Sequence, residues 1–238
     1  KVATKKIHDM NVLGNEVMVS VPVEAEDMTK AITVDVYASN NKVKSTSTTL
    51  KDVAEKTIAE STSKLEIDYL KTMLNCGGYT QVLFNTNADN LAYTNVKDEL
   101  TQSMNEVTID QLSEYKSVSN GEQSGISKIG LALVFNSEIS LRYYFKVDSS
   151  VDLSKLDAKI DNKDYEIKKN SNGYYLELTS IPYNKLDKVH TFKFGDITIK
   201  CSALSYAYSS LKNTTNQKGM LLSKSTYLFW QAAKAYLG

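Results

Sequence analysis

Val189-His-Thr-Phe-Lys-Phe194-Gly195-Asp196-Ile197-Thr-Ile-Lys-Cys201 is a pair of alternating apolar runs on either side of a Gly-Asp dipeptide. Such a pattern signals a β-hairpin, because period-two alternation turns one face of each arm to a core and the dipeptide supplies the tight turn. From Ala203 to Leu237 the apolar spacing lengthens to about 3.6 residues, the period of a helix. Residues 189–237 are therefore expected to form a hairpin followed by two amphipathic helices.

The same succession recurs in residues 31–84. Its arms are Ile32-Thr-Val-Asp-Val-Tyr37 and Val43-Lys-Ser-Thr-Ser-Thr-Thr49, joined through Ser39-Asn-Asn-Lys42. The two stretches align without a gap from Leu50 and Ala203 to Phe84 and Leu237. Val53, Ala54 and Ile58 fall opposite Tyr206, Ala207 and Leu211, and Ile67, Lys71 and Leu74 opposite Met220, Lys224 and Tyr227. An internal duplication is expected, with the two helical pairs packed together because neither can bury its apolar stripe alone. Ahead of each hairpin a polar loop holds one apolar plug, Met28 or Leu186, of the kind that caps the open end of a sandwich. Gly77 and Gly78 interrupt the long helix at a cost of about 1 kcal/mol each relative to Ala, so something large is expected to approach there. The register puts Trp230, the only tryptophan, opposite Gly77. Its indole is the expected occupant of the notch, against the plainer alternative of ordinary core packing elsewhere.

Between the two stretches, residues 126–203 read as β-structure. Runs at 129–135, 139–147, 158–160, 165–168 and 174–178, with turns at Asn136-Ser-Glu138, Asn162-Lys163 and Asn172-Gly173, add to the final hairpin to give about seven short strands. That spacing points to an immunoglobulin-like sandwich. Thr108-Ile-Asp-Gln111 has the form of a capping box and should open a short helix to Tyr115, after which residues 117–124 read as a linker. Val17-Met-Val-Ser-Val21 alternates, as the tail of a shortened β-unit would. The expected fold is α+β: a partial β-unit at 1–49, a helical pair and polar connector at 50–125, an immunoglobulin-like sandwich at 126–203, and a second helical pair at 204–238 packed on residues 50–84.

The hydrophobic share of 42% is enough for a folded core. The formal charge of zero removes the electrostatic footprint of a nucleic-acid binder, and Arg142 is the only arginine available for bidentate phosphate or guanine recognition. No apolar run is long enough to span a bilayer, and no signal peptide is read at Lys1. Cys76 and Cys201 are too few for a disulfide framework or a zinc site. They read as buried free thiols, with a pairing left open should the repeats bring them together.

Catalytic chemistry has little to draw on. His8 and His190 are the only histidines, neither near a nucleophile elbow. His190 shares a strand face with Phe192 and Phe194 and reads as a packed residue. The Ser-x-x-Lys spacings at Ser61, Ser113 and Ser209 have no Lys-Thr-Gly companion. Asn85, Asn87 and Asp89 carry the alternate spacing of a calcium loop but lack its Gly and its closing Glu, so an Asx turn ending the helix is the better reading. No metal and no cofactor are expected. The one candidate binding surface is an outward face on which Tyr144 and Tyr175 lie beside Arg142 and Glu177, a flat patch suited to a sugar or another surface protein. Cross-strand pairing accounts for it equally well.

The phrases Leu50-Lys-Asp-Val-Ala54, Leu70-Lys-Thr-Met-Leu-Asn-Cys-Gly-Gly-Tyr-Thr-Gln-Val-Leu-Phe84, Asn87-Ala-Asp-Asn-Leu-Ala92 and Ser202-Ala-Leu-Ser-Tyr-Ala-Tyr208 resemble an uncharacterised module of large secreted or wall-attached proteins of clostridial-type gut bacteria. There the module accompanies immunoglobulin-like repeats, leucine-rich repeats or carbohydrate-active domains. The chain departs from that pattern at Cys76 and Cys201, which replace aromatic residues, and at Leu237, which replaces Phe. The resemblance implies an extracellular or cell-surface location. With the residues it gives the expected function: a non-catalytic adhesion, scaffold or spacer module of a larger protein, or else a polysaccharide-binding module of an extracellular degradative enzyme.

Overall fold

A computed structural model describes residues 11–13, 16–18, 20–38, 40–93, 97–135, 138–213 and 215–238. In chain order they form β1 (Asn11–Leu13), β2 (Glu16–Met18), β3 (Ile32–Ala38), β4 (Asn41–Thr48), α1 (Leu50–Glu60), α2 (Lys64–Phe84), α3 (Lys97–Glu106), β5 (Val118–Asn120), β6 (Ile126–Phe135), β7 (Ile139–Val147), β8 (Ala158–Ile160), β9 (Lys163–Asp164), β10 (Lys168–Asn170), β11 (Gly173–Ile181), β12 (His190–Phe194), β13 (Ile197–Cys201), α4 (Ala203–Asn213) and α5 (Gln217–Leu237). Both expected hairpins run into helical pairs, and the paired helices match in length at 11 and 21 residues. His8 lies outside the described residues, as does part of the alternating run at 17–21.

The helices start where their side chains cap them. Thr49 accepts from the Asp52 amide while the Asp52 carboxylate accepts from the Thr49 amide, a reciprocal pair that satisfies two otherwise orphaned donors. Ser63 and Asn216 open the long helices by accepting from backbone amides of the first turn. At the far end of α2, Asn85 takes the left-handed conformation at φ 57° and its amide donates to the Gln81 carbonyl. Asn87 likewise has a positive φ and reaches the Glu26 carbonyl. Asn85 thus ends the helix as a left-handed backbone cap, the Thr86 amide also donating to the Gln81 carbonyl.

The two long helices form the middle of the helical layer. They run antiparallel: Tyr236 Oη donates to Glu66 at 3.1 Å, Tyr69 stacks on Tyr236 and lies 5.5 Å from Phe229, and Cys76 Sγ sits 3.8 Å from Thr226 Oγ1. The glycine notch has a different occupant from the one expected. A Cβ on Gly77 would meet Met28 Sδ at 2.4 Å, and one on Gly78 would meet the Tyr93 ring at 1.9 Å. The plug Met28 therefore seats on the helix layer, and Trp230 packs elsewhere, edge-on to Tyr115 at 5.7 Å and beside Tyr227. An apolar residue from the loop ahead of β3 fills the notch instead.

Two antiparallel sheets face each other in the second half. One has the order β10-β11-β7-β6, the other β5-β13-β12-β8-β9. Their inner faces are the alternating apolar positions, with Leu141, Phe145, Leu176, Phe192, Phe194 and Ile199 fully buried. Phe145 stacks on Phe194 at 4.2 Å and 13°, pinning sheet to sheet. Three local expectations need correction. Residues 118–120, read as linker, pair with β13; residues 165–167, read as strand, lie between β9 and β10; and the β8–β9 turn is Asp161-Asn162, both at positive φ. The short helix at 110–115 is 3-10 and its N-cap is Ile109, without a side-chain cap; of the expected capping box only one half is made, Gln111 accepting from the Thr108 amide.

Sheets and helices are joined by specific bonds. Ser205 Oγ donates to the Tyr115 carbonyl at 2.5 Å, the Leu204 amide to the Leu186 carbonyl at 3.1 Å, and Lys234 to Asp187 at 2.5 Å. Tyr183 lies 4.2 Å from Phe229. Among the described residues no helix is long and apolar enough to cross a membrane.

Replacing Gly78 by Ala forces a methyl into the Tyr93 ring, and such overpacking costs about 1–3 kcal/mol. Urea denaturation of Gly78→Ala is expected to show that loss, and an unchanged midpoint would mean that Tyr93 does not occupy the notch.

Candidate functional site

The outward face of the four-stranded sheet carries the residues singled out from sequence. Register sets Tyr175 opposite Tyr144 and Glu177 opposite Arg142 on adjacent strands, so all four side chains emerge on one side. Lys168, opposite Tyr175 on β10, and Asn170 join them. The tyrosines do not lie open as expected: Tyr144 is 6% and Tyr175 8% exposed. Their rings meet at 5.0 Å, the Arg142 guanidinium covers Tyr175 at 4.8 Å, and Asn170 Nδ2 donates to Tyr144 Oη at 3.0 Å. The patch is covered by its own members.

Glu177 is the electrostatic centre of this face. Arg142 Nε donates to one carboxylate oxygen at 2.7 Å and Lys168 Nζ to the other at 2.9 Å. Burial by itself would raise the Glu177 pKa, but the two charged donors outweigh it and hold the carboxyl below the usual range. An arginine spread over one ring and bonded to a half-buried glutamate is engaged on both its face and its edge.

A second grouping lies at the start of β12. His190 is buried, with Nδ1 2.6 Å from Asp161 Oδ2, while Asp161 Oδ1 accepts from the Thr191 amide. Cys201 is the cross-strand partner of His190. Cysteine, histidine and aspartate thus lie together, as in some nucleophilic enzymes, but the electrostatics run the other way. Burial, with the Asp161 charge adding to it, pushes the Cys201 thiol up to about 12. A cysteine nucleophile needs a lowered pKa. Cys76 is likewise pushed up by burial, to about 11. The two cysteines are free and buried, one in the helical seam and one in the sheet core.

The open feature of the β-half is a cleft of about 520 Å³ at the end of the sheets remote from the helices, lined by Gln123, Ser150, Asp152, Lys155, Lys193 and Asp196. Its charges are largely matched. Lys155 lies 3.2 Å from Asp152, and Asp157 at the rim accepts from Lys159 and Lys193, which hold its carboxyl below the ordinary range. The Gln123 side chain accepts from the Asp196 amide at 3.1 Å, fixing the hairpin turn at the floor.

The chain matches no family model, no curated protein and no solved structure. What the site does is therefore argued from its own geometry. Sequence reasoning named the four central residues of the sheet face but missed Lys168, Asn170 and Asp161. Lys168-Lys169-Asn170 is polar throughout, so no alternation marked the first two, and a residue in a tight turn facing back to a strand carried no signal for the third.

Two outcomes follow. Glu177→Gln removes a charged acceptor from two donors and is expected to cost about 2 kcal/mol at neutral pH. Because the folded pKa of Glu177 is lowered, its contribution is present above the unfolded value of about 4.3 and fades as pH falls through the folded one. Thermal melts of wild type and variant should therefore converge in acid, and a constant gap down to pH 2 would refute the ion pair. Both thiols should stay silent to a chromogenic disulfide reagent at pH 8 until the chain is unfolded, and prompt reaction of either would contradict its burial.

Proposed function

We propose that the chain is a non-catalytic module of a larger extracellular or cell-surface protein, with an adhesion, scaffold or spacer role. The observation that carries this reading is the junction between sheets and helices. Tyr115, Leu186, Asp187 and Tyr183 on the β-side are held by Ser205, Leu204, Lys234 and Phe229 on the helical side. A junction closed by hydrogen bonds, an ion pair and an aromatic contact fixes the orientation of one half against the other, which is what a spacer must do. The groups with most chemical potential support the same reading by their state. The thiols are raised, His190 is bonded to Asp161, and Arg142 and Glu177 satisfy each other.

The fold belongs, in this proposal, to the immunoglobulin-like class, set on a helical layer made by internal duplication. Strand order supports the first part. Labelled A to G from β6, with β9 as C′, the sheets read A-B-E-D and C′-C-F-G, with β5 an added edge strand. Phe145 on strand B stacks on Phe194 of strand F, and B and F are the strands that the inter-sheet bridge joins in antibody domains. The matched lengths of the two helical pairs and the antiparallel seam between α2 and α5 support the second part. Assignment to the module of clostridial-type surface proteins rests on the quoted phrases.

A polysaccharide-binding role is the second reading, favoured by the open cleft at the loop end. Tyr144 and Tyr175 serve it poorly, since their rings are covered.

A glycan array probed with the purified chain is expected to be flat. Binding that survives in Tyr175→Ala but is lost in Lys193→Ala would move the role to the cleft and replace the scaffold reading; binding lost in Tyr175→Ala would replace it with recognition on the sheet face.

A further inference from the structure

Beside the seam of α2 and α5 runs a furrow that is only partly filled. α3 lies against both long helices, yet at about 1.5 Å per residue its 10 residues span about half the length of the 21-residue helices beneath it. Next to Ser103 of α3 the furrow stays open as a groove of about 360 Å³. Positions 65, 68 and 72 of α2 and 228, 232 and 235 of α5 line it, each set following helical spacing. Leu65, Leu228 and two alanines make most of that lining apolar, and Leu65 is 50% exposed. Two parallel stripes with small residues between them have the shape to seat a third helix.

α3 fits its own part of the furrow poorly. Of its described side chains, 102–106, only Met104 is buried. It rests on Asn75, which is 1% exposed. The Asn75 amide nitrogen donates to the Met104 thioether at 3.8 Å, and Oδ1 has no hydrogen-bond partner among the described residues. A thioether is a weak acceptor, and a buried carbonyl oxygen without a donor is destabilising. The seat suits a side chain that donates a hydrogen bond where α3 brings a sulfur.

Charge decides what kind of helix that is. The segment from Lys97 to Tyr115 carries five acidic residues against one lysine, while residues 203–238 carry four lysines and no acidic residue. Lys64 and Lys71 line the open groove with Asp68 the one acid among its lining residues. The chain has thus laid an acidic helix on a basic surface, and the unfilled remainder of that surface continues the same seat. We propose that the furrow is the docking site for an acidic amphipathic helix of a partner protein, about 20 residues long to match α2 and α5. It displaces α3, fills the groove between Leu65 and Asn75, and places a donor on Asn75 Oδ1. Until then α3 serves as a strap over part of the stripe. The proposal names the partner's chemistry for the adhesion or scaffold reading and rests on that reading.

The probe is a labelled synthetic peptide that carries the sequence of residues 97–106 twice in tandem, with Gln replacing the Met of one copy. Fluorescence anisotropy should show it binding the full chain at low salt, with affinity falling about tenfold or more when salt is raised. Ala232→Glu, which sets a carboxylate in the open groove, should weaken binding about tenfold or more at an unchanged melting temperature. Hydrogen exchange of the α3 amides should quicken when the peptide is bound. Asn75→Leu, which gives Met104 an apolar seat, should raise the melting temperature by about 2–4 °C and weaken the peptide, because α3 is then harder to displace. No binding by the wild type, binding indifferent to Ala232→Glu, unchanged α3 exchange, or a lower melting temperature in Asn75→Leu overturns the proposal. A dimer of the chain that Ala232→Glu dissociates overturns it in favour of a second copy. Failure of the scaffold reading shows elsewhere, as binding on the glycan array, in which the furrow has no part.

Discussion

The antiparallel seam between α2 and α5 is the constraint on which the molecule depends. Each long helix buries one face against the other, aromatic at one end and lined further along by the small buried residues Ser225 and Thr226 beside Cys76. Tyr69, Tyr236 and Phe229 close one end of the seam, and Cys76 against Thr226 lies further along it. Because the helices approach from opposite directions, each leaves its outer flank to the loop that precedes its own hairpin. Met28 settles on Gly77 of α2, and Tyr183 packs against Phe229 of α5. Once the seam is made, both hairpins are committed to particular sides of the layer.

The β-half uses its polar residues inwardly. A chain with a single arginine has placed it where guanidinium face and edge are both occupied, over Tyr175 and against Glu177. Burying a carboxylate is costly unless it is paired and hydrogen-bonded, and here two cations do the pairing. The exposed Asp161 is held by His190 and the Thr191 amide. Such arrangements favour one packing of the strands over near alternatives, because a register slip of one residue would strand every one of these charges on the wrong face.

Most of the architecture was legible in the chain. The change of period at Ala203 and at Leu50 marks strand passing into helix, and the gapless alignment of the two stretches locates both helical pairs to the residue. Periodicity reports which face of an element is buried, though, and says little about what covers it. That is why Gly77 was correctly read as a place of close approach while its occupant, Met28, was not. Short edge strands were lost for a related reason. Val118–Asn120 is a strand only because β13 offers it an edge, and three residues of Val-Ser-Asn carry no alternation to detect. On the sheet face the strand pattern identified the four residues that meet. It could not show that long side chains from β10 fold back over them, since exposure depends on neighbours contributed by another hairpin.

Trp230 is the only indole in a chain with fifteen tyrosines, and it stands where the two halves meet. Tyr115, just ahead of the first strand of the five-stranded sheet, presents its ring edge to it, Lys234 lies 5.0 Å over its face, and Tyr227 flanks it on the same helix. Its emission on red-edge excitation is thus a private channel on the junction between sheets and helices. Parting of the β-half from the helical half would wet the indole, so its fluorescence reports directly whether that junction is closed.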